Sequence, residues 1–303
     1  MAVINSTYTY HKDTPIDLMK EFTICESFSS PASEYAIALE EPRAYGAMTG
    51  DFLRAHKWLK KGSTLLEIGG GYGSLMHGLL SAHGDLIKKV FMMDLSRGLL
   101  HKQRQRLRPW HDRISFIQGD IHELIQATTG VDLIIANEMI GDLDTLVDID
   151  AENLPQQARS LIETYGLEIP AQGLFNLNYG AIRLVETICE KGLPAFITEH
   201  SCDPIIPHDM QYLTRYLDLD SFPRRIDLYK HSEFSIRFSH LIKVAQALGR
   251  KTRTGSLIDL VNLKKSRALK TIFMTRACAT ERQEIIYELL DHIREYRWLI
   301  ISA

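Results

Sequence analysis

The sequence predicts an α/β fold: a doubly wound, mostly parallel sheet behind an amino-terminal helical extension. Three observations carry that expectation. The run Leu65-Leu66-Glu67-Ile68-Gly69-Gly70-Gly71-Tyr72-Gly73 takes an apolar strand through an acidic residue into alternate glycines, after which an apolar helical pattern resumes. Three further apolar runs, over 89–94, 114–120 and 131–138, each end in polar or acidic residues. Segments of helical character separate the runs, the alternation that builds parallel strands joined by helices. In an open sheet of this kind the four strand ends share one edge, where ligands bind.

Taken in order, residues 1–60 read as the extension. Segments 17–28 and 43–59 look helical, with the turn Ser29-Ser30-Pro31 between them, and Phe52, Leu53, Trp58 and Leu59 offer an apolar face for docking on the sheet. Such a segment can close over a bound ligand, which makes Tyr35, Arg43 and Tyr45 candidate contacts beside a purely structural role. The sheet domain is expected over 61–262. Within it, 141–154 reads as an acidic loop and the clearest internal boundary. Beyond that loop, 158–165 is helical, and 175–191 leads through a helix at 182–188 to a fifth strand over 193–200. Segment 234–248 repeats the helical spacing through Phe238, Leu241, Val244, Ala245 and Leu248 and stops at Gly249, a C-cap signal. Residues 253–261 continue as a last core strand or as a short turn and helix. Residues 263–303 are expected to form a carboxy-terminal helical segment. Its capping box is Thr280-x-x-Gln283, and an apolar face through Ile285, Ile286, Leu289, Leu290, Ile293 and Tyr296 packs on the domain or on the second subunit of a homodimer.

Composition narrows the class. A chain of 303 residues buries a large core with room for a cap, and 45% hydrophobic with 24% charged residues is ordinary for a soluble globular protein. The first ten residues lack the basic start and apolar core of a secretory signal, and no apolar run reaches membrane-spanning length. Cys25, Cys189, Cys202 and Cys278 are scattered without CxxC spacing, so a reduced, cytoplasmic setting is expected. A net charge of −3 predicts no general attraction to nucleic acid, and the basic run from Arg97 to Arg113 reads as a solvated outer helix face.

The glycine run decides between ligands. A dinucleotide fingerprint wants glycine or alanine three residues after its second glycine, and Ser74 stands there instead. The pattern Glu67-x-Gly69-x-Gly71-x-Gly73 resembles motif I of the class I S-adenosylmethionine-dependent methyltransferases, which share a Rossmann-like fold. That resemblance implies S-adenosylmethionine as cofactor, with the glycine loop under its methionine and ribose. Asp94, closing the second strand with Leu95 behind it, is placed to accept the ribose hydroxyls. Asp120, at the third strand end, is placed to accept from the adenine amino group, with Ile121 against the ring. Asn137 completes the expected cofactor set, and the four ordered matches span residues 64–138.

A second resemblance concerns the acceptor. Asn137-Glu138-Met139-Ile140-Gly141-Asp142, with Phe196-Ile197-Thr198-Glu199-His200 downstream, is similar to the MidA-like family, whose mitochondrial members are protein arginine methyltransferases that help assemble the respiratory NADH dehydrogenase. The chain departs from that family between the fifth strand and the following helix, where Glu199-His200-Ser201-Cys202-Asp203 replaces a longer glycine-rich insertion. An amine or guanidinium acceptor, on a protein side chain or a small molecule, needs a carboxylate to bind it and take a proton. Glu138 is the first candidate for that role, Asn137 would hold local geometry, and His200 is a candidate general base. Asp142 and Asp144 read as solvated. Glu199, His200, Cys202, Asp203 and His208 crowd ten residues but match no zinc spacing, so no metal is expected. The Pro-Pro-aromatic clamp for a flipped base is missing after the fourth strand, so a nucleic-acid acceptor is not expected either. The function expected is therefore a methyltransferase. The alternatives are a small-molecule O- or N-methyltransferase with a lidded pocket, and a non-catalytic assembly factor on the same scaffold.

Overall fold

In the computed structural model, which describes residues 3–14, 22–217, 222–228 and 230–302, the chain opens with strand β1 (Val3–Asn5) and helix α1 (Tyr8–Asp13). Helices α2 (Ile24–Ser27) and α3 (Tyr45–Ala55) complete the extension. The helix expected over 17–28 lies outside the described residues through 21; within them it is α2. Strand and helix then alternate: β2 (Ser63–Ile68), α4 (Ser74–His83), β3 (Ile87–Asp94), α5 (Arg97–Arg106), β4 (Ile114–Gln118), α6 (Ile121–Ala127) and β5 (Leu133–Asn137). Next come β6 (Thr145–Asp150), α7 (Gln156–Tyr165), β7 (Leu174–Leu177), α8 (Tyr179–Glu190) and β8 (Ala195–His200). A hairpin of β9 (Arg225–Asp227) and β10 (Ser232–Phe234) precedes α9 (Phe238–Ala247), β11 (Lys251–Ser256), α10 (Ile258–Val261), α11 (Arg267–Thr275), α12 (Glu281–Ile293) and β12 (Tyr296–Ser302).

The main sheet has seven strands in the order β11-β12-β8-β5-β2-β3-β4. Pairs from β8 through β4 are parallel, and β12 runs antiparallel between β8 and β11. Alternation along the central strands assigns each side chain to one of two layers. Leu65 and Ile135 join the core under α3, α4 and α12, while Leu66, Ile134 and Ala136 join the core under α7, α8 and α9. Chain order reverses between β2 and β5, which places the crevice of a doubly wound sheet at the carboxyl ends of those strands.

The extension docks on the sheet domain by close backbone approach. A Cβ on Gly46 of α3 would lie 1.9 Å from the Leu75 carbonyl oxygen of α4, so only glycine lets the two helices touch. Three helices start on side-chain caps: Ser96 accepts from the Leu99 amide, Asp120 from that of His122, and Thr280, the cap the sequence predicts, from that of Gln283.

Three expectations need correction. The loop at 141–154 contains β6, which pairs with β1 and β7 in a separate antiparallel sheet. Its Asp148 and Asp150 are exposed, and a register shift between Leu146 and Ile149 breaks the two-residue period, so the strand reads as acidic loop. The segment at 234–248 is helical only from Phe238, since Phe234 belongs to β10. Residues 263–303 are not helical throughout: α12 ends at Ile293, and β12 enters the sheet between β11 and β8. With no glycine or proline between them, the apolar stripe of α12 runs straight into the apolar strand.

Candidate active site

The carboxyl ends of β2, β3, β4 and β5 open into a cavity of about 1090 Å³. One half is walled by Ile68, Gly69 and Gly71 on one side, Asp94 and Leu95 in the middle, and Gly119, Asp120 and Ile121 opposite. Gly69 has φ +63°, and a Cβ there would also meet the Met139 Cβ at 2.8 Å. Bare backbone therefore lines the cavity where the chain turns. Gly73, at φ +82°, starts α4 as its N-cap.

Two carboxylates shape this half differently. Asp94 lines the cavity, and each of its oxygens accepts one protein hydrogen bond: Oδ1 from the Ser96 amide at 2.9 Å and Oδ2 from Gln103 Nε2 at 2.9 Å. A lone pair on each oxygen is left for a ligand. Burial pushes its pKa up to about 6 against those hydrogen bonds. Gln103 also donates to the Gly71 carbonyl at 3.0 Å, tying the acidic strand end to the glycine turn. Sequence reasoning missed Gln103, a polar residue on the helix read as a solvated face; it is fully buried. Glu67 does not line the cavity. Its carboxyl sits under the turn against Gly70, and burial with the neighbouring Asp94 charge pushes its pKa up to about 8. Among the described residues its Oε2 is buried with no hydrogen-bond partner.

Asn137 and Glu138 close β5 and face the extension. Asn137 Oδ1 accepts from the Tyr45 hydroxyl at 2.9 Å and from Thr198 at 2.6 Å, and its amide donates to Glu138 at 3.0 Å and to the Cys25 sulfur at 3.2 Å. Its side chain is thus spent inside the protein. Glu138 has φ +50°, a left-handed backbone that non-glycine residues rarely adopt. That turn aims its carboxylate at the start of α2, where it accepts from the Ile24 amide at 2.8 Å and the Cys25 amide at 3.3 Å. The Tyr296 hydroxyl at 3.1 Å and Asn137 complete the set. Burial raises its pKa while these four donors oppose the rise. With four donors on two oxygens, Glu138 stands as an anchor for α2 rather than as an open proton acceptor. Glu26 of α2 makes a second latch, bonding Ser74 at the start of α4 and pairing with Arg106 at 2.7 Å. Arg106 therefore does not belong to a purely solvated face.

The other half lies beyond, between α1, the turn after β5, the β9–β10 hairpin and α12. Asp142, Asp144, Glu199, Glu233, Glu288 and Glu295 line it, against Arg224 and Arg225. Arg224 is engaged by Glu295 at 2.6 Å. His200 also lines it, with Nδ1 3.5 Å from Glu295 and its ring centroid 4.3 Å from that of Tyr296. Glu199 accepts from the Gly141 amide at 3.2 Å, and burial lifts its pKa well above the usual range. Of the earlier acceptor-side candidates, Tyr35 lines the cavity, while Arg43 pairs with Asp51 and Tyr45 with Asn137. The residues crowded at 199–208 do not converge: Asp203 pairs with Arg297 at 3.0 Å and caps α9 through the Phe238 and Ser239 amides. His11, Asp142, His231 and Glu233 do converge, each with one ligand-type atom within 4.8 Å of the others. They come from three segments 222 residues apart at the extremes, so no local spacing could reveal them.

A family model described as a methyltransferase domain matches residues 65–166. No curated protein matches the chain. Among solved structures, the chain is similar to a protein from Burkholderia thailandensis bound to S-adenosyl-homocysteine, at 16% identity and a TM-score of 0.56, covering 97% of this chain and 82% of that one. It is also similar to an uncharacterised protein of the same superfamily and organism, at 14% identity and a TM-score of 0.56, covering 93% of this chain and 81% of that one. At these identities the likeness concerns the fold, which agrees over nearly the whole chain, and the domain match covers β2 through α7. Residues 65–166 thus carry a methyltransferase domain, and the doubly wound sheet around it has the fold of the class I S-adenosylmethionine-dependent methyltransferases.

Proposed function

We propose that this protein transfers a methyl group from S-adenosylmethionine to an amine or guanidinium nitrogen, on a protein side chain or a small molecule. The observation that carries the reading is one cavity with two unlike halves: bare glycine backbone and the half-satisfied Asp94 on one side, a carboxylate-rich chamber on the other. The residues fit the donor. Asp94 keeps a lone pair on each oxygen for two hydroxyls, and Asp120 and Ile121 offer an acceptor and an apolar wall for a heteroaromatic ring. When bound, S-adenosylmethionine supplies an electrophilic methyl on a sulfonium, open to in-line attack by a nucleophile about 3 Å away.

The protein's part is positioning and charge. Glu138 and Glu26 seat α2 across the donor half, which excludes water from it. Asp144, Glu288 and Glu295 of the other half favour a cationic acceptor and hold it by charge-assisted hydrogen bonds. His200, between Glu295 and the cavity, is the group proposed to take the proton released as the nitrogen is methylated. The volume, just above the roughly 300–1,000 Å³ of single-ligand pockets, leaves space for an acceptor beside the donor. The walls contributed by the extension and the hairpin favour an acceptor that is small or reaches in as a side chain.

Calorimetric titration with S-adenosylmethionine tests the donor half. Wild type is expected to bind and Asp94→Ala to bind about 10- to 100-fold more weakly, the worth of one or two hydrogen bonds to a charged group. No heat with wild type, or equal affinity in the variant, overturns the reading. Labelling a lysate with tritiated donor and separating protein from small molecules then identifies the acceptor class.

A further inference from the structure

We propose that His11, Asp142, His231 and Glu233 bind one divalent transition-metal ion at the acceptor end of the cavity, pinning three cap segments together. The inference does not depend on methyl transfer. The four residues come from α1, the turn after β5, and the β9–β10 hairpin, yet their ligand-type atoms lie within 4.8 Å of one another. His11 Nε2 is 2.9 Å from Asp142 Oδ1, and His231 Nε2 is 2.9 Å from Glu233 Oε1. A tetrahedral zinc ion with bonds of about 2.0–2.2 Å sets its ligand atoms roughly 3.3–3.5 Å apart. The four groups therefore already bracket a sphere of the right size and need only small side-chain rotations to close on an ion.

The donor set narrows the ion. Two imidazoles with two carboxylates suit zinc, manganese, iron or cobalt, whereas calcium and magnesium prefer all-oxygen shells. Around the cluster the chain is held in place. The Tyr10 ring stacks on His231 at 3.9 Å, the His11 ring meets it edge-on at 5.0 Å, and Thr7 donates to the Asp142 carbonyl at 2.6 Å. The His231 side chain is 4% exposed. Two carboxylates brought together from separate segments repel one another in a partly desolvated place, a repulsion that a shared proton or a bound cation relieves. His11, Asp142 and Glu233 line the cavity, so the ion would face the space that receives the acceptor.

The test uses full-length protein stripped with a chelator and titrated with Co2+. Expected are visible d–d bands saturating at one equivalent, two paramagnetically shifted imidazole N–H resonances, bleaching by one equivalent of Zn2+, and a melting temperature raised by Zn2+. His231→Ala and the near-isosteric Asp142→Asn should each weaken Co2+ binding about 100-fold or more, while His208→Ala, in the ligand-rich stretch at 199–208, should leave it unchanged. The wild-type resonances identify the ligands even where a variant fails to fold. Absence of the bands in wild type, fewer than two shifted imidazole resonances, or wild-type affinity in both variants would each overturn the proposal and leave two histidine–carboxylate ion pairs.

Discussion

Glu67 and Asp94 are taken out of water side by side, and burial raises both pKa values. For Glu67 the consequence runs opposite to that of an ordinary salt-bridged carboxylate. Its folded pKa of about 8 lies above the ordinary glutamate value of 4.5, so between those limits the folded state holds a proton that the unfolded state has lost. Stability then falls as pH rises across that window, by at most about 1.4 kcal/mol per unit, and levels off above it. Glu67→Gln keeps the shape without the titration. Urea midpoints compared from pH 5 to 8.5 should show wild type declining relative to the variant, and parallel curves would refute the assignment. Asp94 could be read from its place at a strand end, because the sheet's geometry puts such residues at the ligand edge. Gln103 could not. Nothing in the sequence of a polar helix tells which of its residues turns inward to hold a buried carboxylate.

Among the elements, α2 shows how a short helix is kept in place by side chains from elsewhere. Four residues make too few internal hydrogen bonds to stand alone, and the helix starts instead on the Glu138 carboxylate and is latched through Glu26. Glu138→Ala strands two backbone amides, the Tyr296 hydroxyl and the Asn137 amide, a loss of about 2–4 kcal/mol. Hydrogen exchange of the amides of 22–28 should quicken at least about tenfold in that variant. Glu138→Gln separates anchoring from catalysis. An anchor gives faster exchange with donor affinity reduced, whereas a proton acceptor gives lost transfer with exchange unchanged. The sequence placed Glu138 correctly at the end of its strand but said nothing of its partner, since Ile24 and Cys25 lie 114 and 113 residues away.

At the scale of the molecule, the two ends of the chain complete what the middle begins. The extension walls part of the cavity, and β12 fills the gap between β8 and β11, carrying Tyr296 to Glu138. A chain truncated after Glu295 loses the strand that bridges two others and exposes both new edges to water. It should show no cooperative urea transition by circular dichroism; a normal transition would mean that residues before β12 fold as a unit. Among the described residues no helix is long and apolar enough to cross a membrane.

By itself the sequence determined the alternation of strands and helices from 64 to 138, the edge on which their ends gather, and Asp94, Asp120 and the glycine turn as residues on that edge. These follow from local periodicity and from the one-sided geometry of parallel sheets, which a single chain segment already encodes. Only the tertiary structure decided that Glu138 grips α2, that β12 runs inside the sheet, that β6 joins β1 and β7, and that His11, Asp142, His231 and Glu233 meet. Each of those depends on a contact between segments remote in sequence. Such contacts are set by which surfaces pack together, and no period or spacing within one segment records them.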